Sequence, residues 1–477
     1  MIFRVALAVA FTLTPQSNVA THQHAVENNL RYFTVLRGQP DTGMSLAKQM
    51  STLHVPAVSI AVLHEGKIEW TSAYGVTRNG GPPATPATLF NAASMSKPLT
   101  AVAVLKLAQD GRIHLDADIN SYIKSWKVPE NQFTAKHKVT VRELLSHTAG
   151  IASQNGEVDD PDKPIPTLVQ MLEGKKPATT PPVRVTTKPG TKFAYSNGGY
   201  MILQLLIEDV TGKPFAQFMQ QAVLTPLHMN DSTFETPLSP EHATHAATGY
   251  WSDGVKGIAP SHFIKPNLAA GGLWTTASDY AKFLLELQKE YAGTSHLILN
   301  QQTVRSMMQP GLGASESFRY GLGVRIGGAP SNRYFEHGGS GVFQSESIAY
   351  LKGDGVVILT SGGGGGALVD EIARSVAHVY RWPDFQPLER TTVPVNPARY
   401  ADLVGTYDFI KVTQNGNKLM AEIPLGSEST ELLPESETRY FLRDPPTTIV
   451  FTKNPSGKTT GLEFITNIVH LHRDKKK

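Results

Sequence analysis

The pattern of hydrophobic and polar positions predicts an antiparallel sheet whose strands come from two separate parts of the chain. Two β-rich runs, 55–63 and 67–74, flank a Glu-Gly turn and predict a hairpin. Much later, runs over 345–351 and 356–360 flank a Lys-Gly-Asp-Gly turn and predict a second hairpin. Residues 333–336 predict one further strand beside it. A sheet split in this way requires the residues between its two parts to fold as an insertion.

The segment between the two hairpins predicts mostly helices and long loops. Residues 99–108 are hydrophobic on nearly every side and stop at Asp110-Gly111, which indicates a buried helix with a glycine at its end. A five-glycine run, 362–366, lacks the Lys-Ser or Lys-Thr ending of a phosphate-binding loop and predicts a flexible connection. Apolar residues recur with helical spacing at 43–53, 141–147, 200–210, 277–291 and 368–380.

A change of pattern near residue 383 predicts a second domain. Residues 383–397 are rich in proline and show no periodicity, which is typical of a linker. Turn residues then separate short β-rich runs at regular spacing, so residues 398–477 predict a small all-β unit, a barrel or a meander. The runs are 406–409, 418–423, 439–442, 448–452 and 462–465.

The N-terminus has the features of an export signal. Arg4 is followed by an apolar run from Val5 to Leu13. A run of roughly ten residues is too short to span a bilayer, which needs about 20. The pattern therefore predicts a secretory signal peptide over 1–20, with Ala20 at the cleavage point, and no membrane span. A buried N-terminal strand or helix is the alternative. We expect an exported protein, periplasmic or secreted.

Composition narrows the classes of function. The 477 residues include 44 basic and 41 acidic ones, a formal net charge of +3, and no basic run before the last three lysines. This balance argues against a nucleic-acid partner. Cysteine is absent, which excludes disulfides, zinc–thiolate sites and a cysteine nucleophile. The 16 histidines show no His-Glu-x-x-His or comparable spacing, so we expect neither a metal nor another cofactor.

Ser94 and Lys97 are the first candidates for chemistry, because they open the buried helix and lie three residues apart. Ser94 is a candidate N-cap there. A serine hydroxyl needs a neighbouring base to become a nucleophile, and a lysine whose pKa is lowered by burial can serve. The same four-residue pattern occurs at Ser45 to Lys48 and Ser121 to Lys124, on polar segments, where it is expected to have no catalytic meaning.

Several ordered motifs resemble the class C β-lactamase and penicillin-binding-protein superfamily of serine hydrolases. The string Phe90-Asn91-Ala92-Ala93-Ser94-Met95-Ser96-Lys97 resembles its first motif, and Tyr195-Ser196-Asn197 matches its second. The string His337-Gly338-Gly339-Ser340 falls where this superfamily places Lys-Thr-Gly or a variant. Further hallmarks are Leu144 to Ile151 and Ala270 to Leu273, and the likeness runs from about residue 43 to residue 380.

The resemblance implies a role for each motif residue. Ser94 is expected to be the acylated nucleophile, with Lys97 and Tyr195 sharing proton transfer; which of the two is the base stays open. The backbone N–H groups of Ser94 and Ser340 are expected to form the oxyanion hole. Asn197 is expected to bond the substrate amide and Lys97. The remaining substrate-binding residues implied are His337, Gly338, Gly339 and Ser340.

The third motif departs from the β-lactamase pattern, because it has histidine in place of lysine. His337 would carry a positive charge only near or below pH 6.5, unless its surroundings shift its pKa. The His-Gly-Gly version resembles D-aminopeptidases and related esterases. The function expected is hydrolysis of small esters or amides, among them D-amino-acid peptides or amides, through an acyl-enzyme on Ser94. Carboxylesterase or β-lactamase activity, or an acylated β-lactam or peptidoglycan-binding sensor, are the alternatives.

The resemblance also implies the fold. We expect a mixed α/β (α+β) catalytic domain over 27–382, with an antiparallel sheet flanked by helices and a helical subdomain inserted between strands. The terminal β unit, 398–477, resembles the lipocalin-like domain appended to some members of this superfamily. The expected partner is a small-molecule or short-peptide substrate, and the sequence does not specify the oligomeric state.

Overall fold

A computed structural model describes residues 15–40, 43–152, 164–315, 318–423, 429–444, 446–466 and 470–476. These residues form a mixed α/β domain followed by an all-β domain, as predicted. The α-helices are α1 (Pro15–Asn28), α2 (Leu46–Thr52), α3 (Ser96–Gln109), α4 (Val141–Leu145), α5 (Leu168–Glu173), α6 (Asn197–Thr211), α7 (Phe215–Met219), α8 (Pro240–Thr244), α9 (Leu268–Gly271), α10 (Ala277–Ala292), α11 (Gln301–Met307), α12 (Gly365–Val379) and α13 (Tyr400–Leu403).

An antiparallel sheet of eight described strands, in the order β3-β2-β13-β12-β11-β10-β9-β8, is the centre of the first domain. The first two strands precede the helical segment and the other six follow it, so that segment is an insertion, as predicted. The strands of this domain are β1 (Thr34–Leu36), β2 (Ala57–His64), β3 (Lys67–Gly75), β4 (Phe90–Asn91), β5 (Gly249–Tyr250), β6 (Gly257–Ile258), β7 (Trp274–Thr275), β8 (Gly313–Ser315), β9 (Phe318–Tyr320), β10 (Arg325–Gly327), β11 (Tyr334–Gly339), β12 (Gln344–Tyr350), β13 (Gly355–Thr360) and β14 (Leu388–Arg390).

Helices cover both faces of this sheet, which explains why its central strands are hydrophobic throughout. Residues 57–63 of β2 are all buried, as is every residue of β13. Alternate side chains of β2 belong to two different cores: Ala61 and Leu63 pack with α3 and α10, whereas Ile60 and Val62 pack with α12. The active-site candidates described below lie on the α3 side.

The glycine run at 362–366 is packed, so the prediction of a flexible connection is wrong. A Cβ atom on Gly364 would lie 2.4 Å from the Leu53 carbonyl oxygen, and one on Gly365 would lie 2.1 Å from Thr360 Oγ1. Gly365 already begins α12. These glycines allow close backbone approach.

The second domain is an antiparallel sheet of eight described strands that nearly closes into a barrel. The N–H group of Lys476, after the last strand, donates to the Thr406 carbonyl of the first at 2.8 Å. Aromatic and aliphatic side chains fill its interior, among them Tyr407, Tyr440 and Phe451. Its strands are β15 (Gly405–Tyr407), β16 (Ile410–Asn415), β17 (Lys418–Glu422), β18 (Thr430–Pro434), β19 (Arg439–Phe441), β20 (Thr448–Lys453), β21 (Thr459–Ile465) and β22 (His470–Asp474).

Two short strands connect the domains. β14 lies within the predicted linker and pairs in parallel with β1. The Thr34 N–H of β1 also donates to the Arg443 carbonyl of the barrel at 3.0 Å. Of the signal peptide predicted over 1–20, residues 1–14 lie outside the described residues, and the rest begin α1. No helix in the described part of the chain is long and apolar enough to cross a membrane.

Candidate active site

A 3₁₀ turn, Ala93–Met95, leads directly into α3 and carries Ser94. Ala93 has a φ of +46°, an unusual value for a residue with a side chain, and such strain is common at functional turns. α3 begins only at Ser96 and its flanking residue is Met95, so the prediction that Ser94 is the N-cap is wrong. The turn instead projects Ser94 from the end of a buried helix.

Lys97 lies in the first turn of α3 and is fully buried. Its amine is 3.0 Å from Ser94 Oγ and donates to the Ala270 carbonyl, in α9, at 2.8 Å. Burial, and then the charge of Lys265, lower the pKa of Lys97 well below its ordinary value of 10.5. A neutral amine beside a hydroxyl is the arrangement that proton abstraction requires.

Tyr195 completes the group around Ser94. It precedes α6, whose N-cap, Ser196, accepts a hydrogen bond from the Gly199 N–H at 3.1 Å. The Tyr195 hydroxyl lies near enough to Ser94 for the serine to offset part of the effect of burial on the phenol pKa, and the Tyr195 ring centre is 4.9 Å from the Lys97 amine. Burial raises the pKa of Tyr195 above its ordinary value of 10.0, so the phenol keeps its proton at neutral pH. The structure thus brings together the three residues proposed for catalysis.

The two other Ser-x-x-Lys strings have different surroundings. Ser45 is the N-cap of α2, and its hydroxyl accepts from the Lys48 backbone N–H at 3.3 Å. Lys48 is exposed, and both Ser121 and Lys124 are exposed as well. Burial of the lysine, which the short pattern does not encode, therefore separates the string at Ser94 from the other two.

His337, on β11, faces the same cleft but is buried and neutral. Its Nδ1 is 2.7 Å from the Gly338 carbonyl oxygen, and its Nε2 is 3.0 Å from the Tyr320 hydroxyl. Burial, and then the charge of Lys97, lower the pKa of His337 to about 3. Its surroundings therefore shift its pKa far below 6.5, so His337 supplies no positive charge at neutral pH. Tyr320, its partner, was not identified from the sequence.

The end of β11 lies against the turn that carries Ser94. A Cβ atom on Gly339 would be 2.4 Å from the Ala92 carbonyl oxygen, and Ser345 of β12 donates to the same oxygen at 2.9 Å. Only a residue without a side chain permits this approach. Ser340 follows at the end of the strand and is exposed. The proposed oxyanion hole, formed by the backbone of Ser94 and Ser340, remains a prediction, as does the role of Asn197.

An aromatic cluster supports Tyr195 from behind. The His147 ring centre is 4.3 Å from that of Tyr195 and 5.0 Å from that of Tyr320. His147 Nδ1 accepts from the Ser196 N–H at 3.1 Å, and burial lowers the pKa of the imidazole well below 6.5. His147 is thus a neutral core histidine, and it orients the loop that carries Tyr195.

Lys265 is a second lysine at the cleft, and sequence reasoning missed it. It precedes α9 in a loop without hydrophobic periodicity, so no pattern distinguishes it. A Cβ atom on Gly271 would lie 3.1 Å from the Lys265 amine and 3.8 Å from the Ala93 carbonyl. Burial lowers the pKa of Lys265 to about 8. A mostly protonated lysine therefore lies near the turn of Ser94.

The profile of the family described as Beta-lactamase matches residues 45–381, which is more than half of the chain. The chain belongs to the β-lactamase family. All the residues proposed for the site, from Ser94 to Ser340, lie within the matched part, and the barrel domain lies outside it. This family consists of serine hydrolases of the β-lactamase and penicillin-binding-protein type.

Two curated proteins are similar to this chain in sequence, and one solved structure is similar to it in fold. Protein flp of Staphylococcus aureus (strain MRSA252) is 29% identical over 231 residues, 48% of this chain and 42% of the relative, so the match spans less than half of that protein. Penicillin-binding protein 4* of Bacillus subtilis (strain 168) is 25% identical over 76% of this chain and 82% of the relative. The octameric penicillin-binding protein homologue from Pyrococcus abyssi shares the fold, with a TM-score of 0.62 at 21% identity, over 90% of this chain and 98% of its own.

Proposed function

We propose that this chain hydrolyses small esters or amides, among them D-amino-acid peptides or amides, through an acyl-enzyme on Ser94. The observation that carries the proposal is the 3.0 Å separation between Ser94 Oγ and the amine of Lys97, whose pKa burial lowers. A neutral base within hydrogen-bond reach turns a serine hydroxyl into a nucleophile.

The first half of the reaction forms the acyl-enzyme. Ser94 Oγ attacks the carbonyl carbon while Lys97 takes the hydroxyl proton. The backbone N–H groups of Ser94 and Ser340 hold the resulting oxyanion. As the tetrahedral intermediate collapses, the bond to the leaving group breaks. The protonated phenol of Tyr195 donates a proton to the leaving oxygen or nitrogen and regains one from Lys97.

The second half releases the acid. A water molecule loses a proton to the neutral Lys97 and attacks the acyl carbon. The new intermediate expels Ser94 Oγ, which recovers a proton from the Lys97 ammonium. The opposite pKa shifts of the two groups favour Lys97 as the base and Tyr195 as the acid.

Turnover of p-nitrophenyl butyrate by the wild type and by Ser94→Ala tests the proposal. We expect steady release of p-nitrophenolate by the wild type and none above background by the variant. A single stoichiometric burst from the wild type would favour the acylated sensor instead, and full activity of Ser94→Ala would overturn the nucleophile. The matched control is Ser45→Ala, which changes the serine of another Ser-x-x-Lys string.

Comparison of substrate classes defines the activity further. D-Aminoacyl p-nitroanilides, simple p-nitrophenyl esters and a chromogenic cephalosporin would be compared by kcat/KM. A preference for the anilides supports a D-aminopeptidase, for the simple esters a carboxylesterase, and for the cephalosporin a β-lactamase.

We also propose that the protein is exported. The support is the short apolar run after Arg4, which is typical of a secretory signal peptide. Expression of the full chain in a bacterial host, followed by fractionation and N-terminal sequencing, tests this. We expect processed protein outside the cytoplasm. Unprocessed protein confined to the cytoplasm would contradict it.

A further inference from the structure

Lys265 offers a positive charge that no described residue neutralises. Among the residues that the structure describes, its amine has no hydrogen-bond acceptor and no carboxylate within 4.0 Å. The described contact of the amine is with the ring of Phe263, whose centre is 5.5 Å away. A half-buried ammonium without an anionic partner is costly in a folded protein. A ligand that brings its own anion would remove that cost.

The position of the amine directs the charge towards the reacting centre. Because Gly271 has no side chain, the Lys265 amine packs close to its backbone: a Cβ atom there would lie 3.1 Å from the amine and 3.8 Å from the Ala93 carbonyl oxygen. Ala93 directly precedes Ser94. The charge of Lys265 also lowers the pKa of Lys97, so the two amines lie close enough to repel each other.

The two other basic side chains described near Ser94, those of Lys97 and His337, do not supply a fixed positive charge. Lys97 is fully buried and tends towards the neutral amine, and His337 is neutral because its pKa is about 3. Lys265 therefore carries the positive charge that a substrate would meet at neutral pH.

We propose that Lys265 binds a carboxylate carried by the substrate, so that the esters or amides cleaved at Ser94 are preferentially anionic. This inference rests on the proposed function and adds a substrate class to it. The carboxylate belongs either to the acyl group or to the leaving group. In both cases it would accept hydrogen bonds from the ammonium at the edge of the cleft, where partial burial strengthens a charge-assisted bond.

Two matched pairs of esters test the proposal. Mono-p-nitrophenyl glutarate, with a carboxylate on the acyl side, is compared with neutral p-nitrophenyl butyrate; 3-carboxyphenyl butyrate, with a carboxylate on the leaving group, is compared with neutral 3-carbamoylphenyl butyrate. The quantity measured is the ratio of kcat/KM for each anionic ester to that for its neutral counterpart. We expect a ratio above one for one anionic ester, and which one it is locates the carboxylate.

Variants of Lys265 distinguish the effect of its positive charge from that of the size of its side chain. Lys265→Met should lower that ratio about ten- to a hundredfold, the range expected for one hydrogen bond to a charged group. Lys265→Arg should keep most of the preference. Lys256→Met, which changes an exposed lysine of the preceding loop, is the matched control and should leave the ratio unchanged. A wild-type ratio below one for both anionic esters, or an unchanged ratio in Lys265→Met, would overturn the proposal.

The pH dependence gives a readout that a merely structural role would not produce. Above pH 5 the carboxylate stays charged, and the pKa of Lys265 is about 8. The anionic preference of the wild type should therefore fall as pH rises through about 8, while Lys265→Arg should keep it. The charged group that faces Lys265 among the described residues is Lys97.

A binding measurement keeps this inference separate from the proposed function. If the wild type shows no turnover that depends on Ser94, the hydrolase proposal fails. Calorimetric titration of Ser94→Ala with glutaric acid monoanilide and with butyranilide then still tests Lys265. We expect tighter binding of the monoanilide, lost in Ser94→Ala/Lys265→Met. Equal affinities for both compounds would contradict the carboxylate site.

Discussion

At the scale of single residues, the candidate site depends on burial as much as on residue identity. The sequence could predict Ser94, Lys97 and Tyr195 because their motifs are specific in order and context. It could not predict that His337 is neutral, because the cause is its enclosure by Tyr320 and the sheet. It also could not single out Lys265, whose proximity to Ser94 arises only from tertiary packing.

The lowered pKa of Lys97 predicts the pH profile. A base acts only when neutral, so kcat/KM should fall as pH decreases through the pKa of Lys97 and stay level above it. Since burial moves that pKa well below 10.5, activity should not require strongly alkaline conditions. Lys97→Met should lower kcat about 10²- to 10⁴-fold. Lys48→Met, in another Ser-x-x-Lys string, should leave kcat unchanged. Activity that appears only near pH 10 would contradict this account.

His337 should not titrate in the physiological range. The partner of Nδ1 is the Gly338 carbonyl oxygen, which can only accept, so Nδ1 carries the proton. Nε2 can then accept from the Tyr320 hydroxyl, and the ring is neutral. Because its pKa is about 3, its imidazole NMR signals should stay constant between pH 5 and pH 8. His472, an exposed histidine of the barrel whose pKa is raised above 6.5 by its hydrogen bond to Glu463, provides an internal comparison, because its signals should change in the same spectra. A midpoint near 6.5 for His337 would show that the ring is not enclosed as described.

At the scale of elements, the sequence predicted those with strong local signals. The hairpin of β2 and β3, the hairpin of β12 and β13, and α3 combine clear periodicity with turn or stop residues. It missed β8 to β10, because strands of three residues carry no readable period; they extend the sheet outwards from β11, each pairing with the strand before it in the sheet order. The prediction that residues 362–366 form a flexible connection was wrong for a related reason. Glycine permits both a flexible segment and close packing, and only the residues that surround it in the fold decide between the two.

Gly339 lies where the end of β11 packs against the turn that carries Ser94. A methyl group added at this position should disturb both the strand and the turn. A Cβ atom would lie 2.3 Å from Ser345 Oγ and 2.4 Å from the Ala92 carbonyl oxygen, so the end of β11 must move away from the turn of Ser94. A shift of about 1 Å can cost roughly a hundredfold in rate, which we expect for kcat of Gly339→Ala. Gly366→Ala, whose Cβ would approach nothing closer than 3.9 Å, is the control and should retain activity. Equal activities of the two variants would contradict the proposed contact.

At the scale of the whole molecule, the barrel is fixed to the catalytic domain on the side of the sheet that α12 covers. Asp444 of the barrel accepts from Arg374 of α12 at 2.5 Å and from the Phe33 N–H at 2.9 Å. Sequence reasoning could not predict this attachment, because the partners are more than 50 residues apart. The described contacts thus place the barrel away from the cleft of Ser94.

Removal of the Asp444 carboxylate should therefore loosen the barrel without altering the chemistry. The Arg374 side chain is only 8% exposed, and Asp444→Ala would leave its charge buried without this partner. Loss of one member of a buried pair costs several kcal/mol, and we expect the free energy of unfolding to fall by about 2 to 4 kcal/mol in urea titrations. Arg399→Ala, which breaks an ion pair whose side chains are 57% and 61% exposed, is the control and should cost less than about 1 kcal/mol. For Asp444→Ala, kcat/KM for p-nitrophenyl butyrate should stay within about twofold of the wild type, since the carboxylate touches no residue of the site. A large loss of activity in a variant that remains folded would instead mean that the position of the barrel controls the cleft.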